Sequence, residues 1–210
     1  MRTFLCGVIS GTIAGLALGI WLGSSPSFPL SVWREHAQAE AFYQGRPISA
    51  WLIQLEDHDP LCRQEAIQAL EKLSPHEPGI VPALGRMLQD RNALVRVGAA
   101  GALRRLGPQA QSALPALLAA LDDENQTVRS ILVAALGRIA PQDQTVLATL
   151  ARALKDNSPA VRRMALDALG EIGQGAKGSL PAVREALADN DPDVRQAAAE
   201  ALPKIERDKE

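Results

Sequence analysis

Residues 90–103 read DRNALVRVGAAGAL, and the same pattern returns as DENQTVRSILVAAL at 123–136 and as DNSPAVRRMALDAL at 156–169. Each stretch begins with an aspartate, has an arginine six residues later, and ends with a leucine seven residues after that arginine. The arginines recur every 33 residues through five copies: Arg63, Arg96, Arg129, Arg162 and Arg195. The aspartates that precede them are Asp57, Asp90, Asp123, Asp156 and Asp189. A fixed period of this length predicts a stack of structural repeats.

The third copy, residues 112–140, shows what one repeat contains. Ser112 and Pro115 are typical of a helix start, and the polar run at 122–125 is long enough only for a turn between helices. An apolar stripe at helical spacing precedes the turn: Leu114, Leu117, Leu118 and Leu121. A second stripe follows it: Val128, Leu132, Ala135, Leu136 and Ile139. Each copy is therefore predicted to be a helical hairpin, and the hairpins must stack because neither helix can bury its stripe alone.

This pattern resembles the HEAT repeat, which has a proline fourteen residues before the arginine, an aspartate six before it and a valine next to it. The matching prolines are Pro82, Pro115 and Pro181, and the valines are Val95, Val128, Val161 and Val194. The first copy departs at Ser49 and Cys62, and the fourth departs at Ala148. The resemblance covers roughly residues 47–206 and implies an all-α fold, a right-handed α-α superhelix (α-solenoid) of five HEAT-type hairpins.

The resemblance also implies a role for the repeated aspartates and arginines. They are expected to hydrogen-bond within and between neighbouring hairpins, as a ladder along the stack. The alternative is a row of ligand-binding arginines. The ladder is favoured because every arginine comes with its own aspartate.

Residues 1–23 are predicted to be a transmembrane helix or signal anchor. Phe4 to Leu22 are nineteen residues without a charge, which is long enough to span a bilayer core. A cleaved signal peptide is the alternative, but the long apolar run and the sequence LGSSP at 22–26 favour an uncleaved anchor. Arg2 precedes the segment and Arg34 is the first basic residue after it. The positive-inside rule then favours a single-pass protein with its solenoid on the extracytoplasmic side.

Glycine recurs at every fourth position of this apolar segment, which predicts a helix face open to close packing. The five residues are Gly7, Gly11, Gly15, Gly19 and Gly23. Small residues at this spacing allow another membrane helix to approach, so they indicate self-association or contact with a second membrane protein.

The remaining segments divide the chain further. Residues 24–46 are expected to be a linker followed by a capping helix, at Ser31 to Tyr43, that covers the first hairpin. The five repeats occupy 47–206, with Trp51 as a core residue, and 207–210 form a charged tail.

The composition argues against most kinds of chemistry. The formal net charge of −2 gives no global attraction to nucleic acid or anionic lipid. All seven aromatic residues lie at or before Trp51, so the later repeats have no aromatic ring on which to stack a base, a sugar or a chromophore. The histidines His36, His58 and His76 lie outside the repeat core without a recognisable nucleophile. No catalysis, cofactor, metal, nucleic acid or small-molecule substrate is therefore expected.

What remains is a surface on the second helices, at positions one and five after each repeated arginine. These positions should point away from the core, and the resemblance to HEAT repeats implies that they face the inner curve. The middle of this surface is small and weakly polar, and we expect it to bind an extended peptide or an acidic segment of a protein partner. The basic residues expected to contact such a partner are Lys72, Arg104, Arg105, Arg138 and Arg163. Three alternatives stay open: basic side chains that only complement helix dipoles, a bilin-lyase-like HEAT enzyme, and an exported soluble scaffold released by signal cleavage.

Overall fold

A computed structural model describes residues 41–73, 77 and 79–207. The predicted membrane segment, its glycine face and the linker through Glu40 lie outside these residues, as does the end of the tail. Residues Ala41–Glu210 form one compact unit. Within the described residues, no helix is both long enough and apolar enough to cross a membrane.

From Ile48 to Glu206 the chain forms five successive helical hairpins. Their first helices are α1 (Ile48–Gln54), α3 (Ile80–Arg86), α5 (Leu114–Ala119), α7 (Gln144–Ala153) and α9 (Leu180–Glu185). Their second helices are α2 (Pro60–Lys72), α4 (Ala93–Leu106), α6 (Gln126–Ile139), α8 (Pro159–Ile172) and α10 (Pro192–Glu206). Four 3₁₀ segments adjoin the first helices: Met87–Gln89, Gly107–Ala113, Gly173–Ser179 and Ala186–Ala188.

The second helices begin where a polar side chain ends the preceding turn. The side chains of Asp59, Asn92, Asn125 and Asp191 each accept a hydrogen bond from a main-chain N–H in the first turn of the helix. Proline stands in the first turn of α2, α8 and α10, where its missing N–H costs little. These local signals place the arginine of each repeat one turn into its second helix.

Stacking buries the predicted stripes. The leucine seven residues after the arginine is fully buried in the first four repeats: Leu70, Leu103, Leu136 and Leu169. Each second helix packs against the next one along the series. The approach is close where glycine replaces a larger residue: a Cβ on Gly137 would lie only 2.9 Å from the Cβ of Ala168. Successive repeats therefore share one continuous core.

The start of the third repeat differs from the expectation. Ser112 lies within the 3₁₀ segment Gly107–Ala113 and does not cap α5, whose N-cap residue is Ala113 without a side-chain hydrogen bond. Leu117 is the fully buried member of the first stripe, and Leu114, Leu118 and Leu121 are half-buried. The difference has a local cause: Gly107, with φ of 60°, ends α4, and the chain then continues in the tighter 3₁₀ helix.

A two-stranded hairpin precedes the first repeat, so the fold is not purely helical. β1 (Phe42–Tyr43) pairs antiparallel with β2 (Arg46–Pro47), and the two turn residues between them both have positive φ. The prediction of a helix through Tyr43 is therefore wrong at its end. Trp51 is 1% exposed, as expected of a core residue, and its Nε1 donates to the main-chain oxygen of Tyr43 at 3.2 Å.

Candidate binding surface on the second helices

Four arginines join each repeat to the next. The Nε and Nη2 groups of each one donate to both carboxylate oxygens of the aspartate 27 residues later, at N–O distances of 2.6–2.9 Å. The pairs are Arg63–Asp90, Arg96–Asp123, Arg129–Asp156 and Arg162–Asp189. Nη1 of each arginine donates to the main-chain oxygen of its own repeat's aspartate at 2.7–2.9 Å. We call one such arginine–aspartate pair a rung.

The rung carboxylates are held in their ionised form. Each also accepts a hydrogen bond from the main-chain N–H two residues later, at 2.8–2.9 Å. Burial raises the pKa of Asp90, Asp123 and Asp156, but hydrogen bonds from the arginine and that N–H, with nearby positive charges, lower it below its ordinary value. The pKa of Asp189 is lowered chiefly by its hydrogen bond from Arg162. These eight charged groups therefore satisfy one another.

The two ends of the series lack a complete rung within the described residues. Asp57 is exposed and accepts a hydrogen bond from the N–H of Asp59 at 2.8 Å. Arg195 is exposed and donates to the main-chain oxygens of Asp189 and Asn190. Within the described residues, Asp57 and Arg195 thus lack the arginine–aspartate ion pair that the repeated residues in the middle of the stack make.

The predicted surface positions are mostly open to solvent. Nine of the ten residues at positions one and five after the repeated arginine are exposed or half-buried, and the exception is Gly101. Gly101 is buried because the Arg105 side chain lies across it: a Cβ on Gly101 would be 3.4 Å from Nη1 of Arg105. The residues in the middle of the surface are small: Ala134 is half-buried and Gly101 is buried.

The five predicted partner-binding residues fall into two groups. Arg105 forms a two-point ion pair with Glu71 of the preceding repeat. Arg163 forms an ion pair with Asp167 on its own helix, with 3.3 Å between Nη1 of Arg163 and Oδ2 of Asp167. The hydrogen bond that Arg105 donates to Glu71 raises the pKa of Arg105. The other three make no ion pair within the described residues: Lys72, Arg104 and Arg138.

A contact that occurs across two of the grooves accounts for the pairing of Arg105. The side chain eight residues after one repeated arginine faces the side chain nine residues after the next one. The ion pair of Glu71 with Arg105 shows this register across the α2–α4 groove. The α8–α10 groove shows it again, because a Cβ on Gly170 would lie 3.6 Å from Cδ of Lys204.

In the α4–α6 groove, Arg104 and Arg138 stand at the repeat positions that Glu71 and Arg105 occupy one repeat earlier. Arg138 also leans toward the end of α4, since a Cβ on Gly107 would lie 3.8 Å from Nε of Arg138. Arg104 is half-buried and Arg138 is exposed. We call these two residues the arginine pair. Two arginines therefore stand at the repeat positions where an opposite-charge pair forms one repeat earlier.

Comparison with known proteins agrees with this architecture. Two overlapping matches to the family model of HEAT repeats cover residues 48–137 and 114–203. The chain belongs to the HEAT repeat family. No curated protein matches it.

Several solved structures share the HEAT-like stack. The complex of CpcE and CpcF of phycocyanin lyase from Nostoc sp. contains a chain that is 26% identical, with 87% of this chain and 70% of that chain covered and a TM-score of 0.63. A designed armadillo repeat protein in complex with the peptide (KR)4 is 22% identical, with coverage of 75% and 81% and a TM-score of 0.58. An engineered protein is also 22% identical, with coverage of 86% and 87% and a TM-score of 0.58.

Sequence reasoning listed the basic residues of these HEAT repeats without separating paired from unpaired ones. The signal that separates them is an offset of 34 residues between Glu71 and Arg105, one more than the repeat period. Applied to Arg104, the same offset leads to Arg138. The arginine pair could therefore have been found from the sequence, once the facing positions of one groove were known.

Proposed function

We propose that this protein is a non-catalytic HEAT-repeat scaffold that binds an acidic segment of a partner protein on its second helices. The arginine pair is the centre of the proposed site. Two like charges that face each other across one groove repel, and a carboxylate placed between them would accept hydrogen bonds from both guanidinium groups. The observation that carries the proposal is that neither Arg104 nor Arg138 has a carboxylate partner among the described residues.

The surroundings of the arginine pair suit a chain that lies across the helices. Ala134 is small and half-buried, so a partner main chain can approach α6 closely there. Lys72, at the end of α2, adds an exposed positive charge on the same side of the stack. Arg105 and Arg163, which we also expected to contact the partner, are held by Glu71 and Asp167 and contribute to the rim of the site.

The proposal extends to the membrane. Residues 4–22 would anchor the protein as a single-pass helix, with the HEAT repeats on the extracytoplasmic side, which the charge-free segment after Arg2 supports. Replacing Gly11 and Gly15 by Leu should reduce self-association in membranes if the glycine face packs against a second copy. A mature N-terminus at or beyond Ser24 would instead indicate a released, soluble scaffold.

The binding site is tested by a double charge reversal, Arg104→Glu with Arg138→Glu. The matched control is Arg86→Glu with Arg152→Glu, which makes the same change of charge on the exposed last turns of α3 and α7. The probe is a fluorescein-labelled peptide with a Glu-Glu pair in a Gly/Ser background, and binding is read by fluorescence anisotropy. We expect the first variant to bind at least about tenfold more weakly and the control to bind within about twofold of the wild type.

Two results would overturn this site. One is an equal loss of binding in both variants, which would show that only the net charge matters. The other is tighter binding of an oligonucleotide with the same charge as the peptide, which would move the partner to a different class. Circular dichroism of both variants checks that helicity is unchanged.

A bilin-lyase-like enzyme is the second candidate, and the 26% identity to a phycocyanin lyase chain favours it. Against it, the last aromatic residue, Trp51, is buried beneath Arg46, whose guanidinium lies 4.0 Å from the ring centroid. The sequence after Trp51 contains no aromatic residue, so the later repeats have no ring on which a chromophore could stack. Visible absorbance of a bound pigment in the purified protein would support the enzyme and count against the scaffold.

A further inference from the structure

Two leucines lie exposed at the starts of the first two second helices. Leu61 is 67% exposed and Leu94 is 61% exposed, and each stands two residues before a rung arginine. Gln64, one turn after Leu61, donates its side-chain N–H to the main-chain oxygen of Leu94 at 3.3 Å, so the two helix starts are adjacent. The later repeats have Thr127, Ala160 and Asp193 at this position. Paired exposed leucines are therefore a feature of the first two repeats alone.

One of these leucines, Leu94, lies on the same helix as Arg104 of the arginine pair. On α4, Leu94, Val97, Gly101 and Arg104 follow at three- and four-residue spacing, so they form one stripe along the helix. Leu94 and Arg104 are ten residues apart, which corresponds to about 15 Å along a helix. The stripe has an apolar end at Leu94, a middle at Gly101 over which the Arg105 side chain lies, and a basic end at Arg104.

We propose that the acidic segment also carries an apolar side chain, which docks on Leu61 and Leu94 while its carboxylates meet the arginine pair. This inference rests on the proposed function and names the kind of segment that the surface fits. An extended chain covers about 3.3 Å per residue, so about five residues separate the two contacts. The apolar contact stabilises the complex because it removes leucine surface from water.

Charges near the leucines set the direction of the segment. Asp59 and Glu65 are exposed on either side of Leu61, so carboxylates of a partner are disfavoured at the apolar end of the stripe. The acidic residues of the segment therefore lie at the arginine pair, and the apolar residue lies at the helix starts.

The experiment compares three labelled peptides on the full chain in a non-ionic detergent, with protein-free micelles as the blank. The first carries a Glu-Glu pair alone, the second adds a Leu-Leu pair five residues from it, and the third places the leucines two residues from it. We expect the second peptide to bind about tenfold more tightly than the first, and the third to gain little, because its leucines cannot reach.

Variants assign this gain to a surface. Leu94→Ser should abolish the gain of the second peptide, and Ile53→Ser, at a 74% exposed site on the first helix α1, should leave it unchanged. If the gain survives in Leu94→Ser, or if both spacings gain equally, this inference is overturned while the acidic site stands. If the first peptide fails to bind, the proposed function itself fails.

Discussion

Replacing Asp123 by Asn removes the negative charge of one rung and keeps its shape. In the native protein, both oxygens of Asp123 accept from Arg96, at 2.6 and 2.9 Å, and the two side chains are 7% and 10% exposed. An asparagine offers only one oxygen, and its NH₂ group faces a second donor of Arg96. The arginine is then left with an unsatisfied N–H and an unbalanced charge in a poorly solvated place.

The expected cost is about 3 kcal/mol in the free energy of unfolding. Removing one partner of a buried ion pair costs about 3–5 kcal/mol, and we expect the lower end because Glu124, 3.6 Å from Arg96, compensates in part. The hydrogen bond from the N–H of Asn125 to the same side chain, at 2.8 Å, survives because asparagine keeps an acceptor there.

The chain supplies its own control at Asp57. This residue occupies the same position of the first repeat and accepts the same kind of turn hydrogen bond at 2.8 Å, but it has no arginine partner in the described residues. Asp57→Asn should therefore change stability by no more than about 0.5 kcal/mol. Urea unfolding at pH 7, followed by far-UV circular dichroism, measures both variants. Equal losses for Asp57→Asn and Asp123→Asn would refute the ladder as a source of stability.

Three further outcomes follow from the structure. Acid should weaken the stack: the lowered pKa values of the four rung aspartates mean that their stabilisation is complete above about pH 4 and is lost as pH falls below it, which unfolding midpoints at pH 3 and pH 7 would show. Gly137→Val should cost about 2 kcal/mol because its side chain meets Ala168, whereas Gly178→Val, with nothing within 4 Å, should cost much less in the same urea assay. Trp51→Ala should cost about 4 kcal/mol by emptying the core of the first repeat, and thermal unfolding that leaves the midpoint unchanged would contradict that packing.

The sequence was sufficient for the parts of the fold that repeat. The 33-residue period, together with proline or a capping side chain, places every second helix, because those signals act locally. The starts of the first helices were less predictable. The 3₁₀ segments before α5 and α9 begin where Gly107 and Gly173 adopt positive φ, a conformation that glycine permits but that a glycine in the sequence does not by itself predict. The hairpin before Ile48 was missed because each of its strands has only two residues.

The candidate site shows a different limit. A list of basic residues says nothing about which of them already has a partner, since Arg105 finds Glu71 across a groove rather than along its own helix. Arg104 and Arg105 are neighbours in sequence, yet they leave the helix in different directions because adjacent residues on a helix diverge by about 100°. The distinction between a paired and an unpaired arginine therefore requires the register between repeats.

The same register indicates where specificity can arise in a stack of this kind. A feature present at every junction, such as the rung, stabilises all positions alike and gives a partner no way to tell one repeat from another. The position eight residues after the repeated arginine does vary along the stack: Glu71, Arg104, Gly137, Gly170 and Pro203. A partner that binds one place on the stack must read positions that differ between repeats, and the arginine pair occurs at one groove of the described chain. If charge reversal at Arg104 and Arg138 has no effect on the binding of acidic peptides, that groove does not determine specificity. Another variable position of the second helices must then determine it.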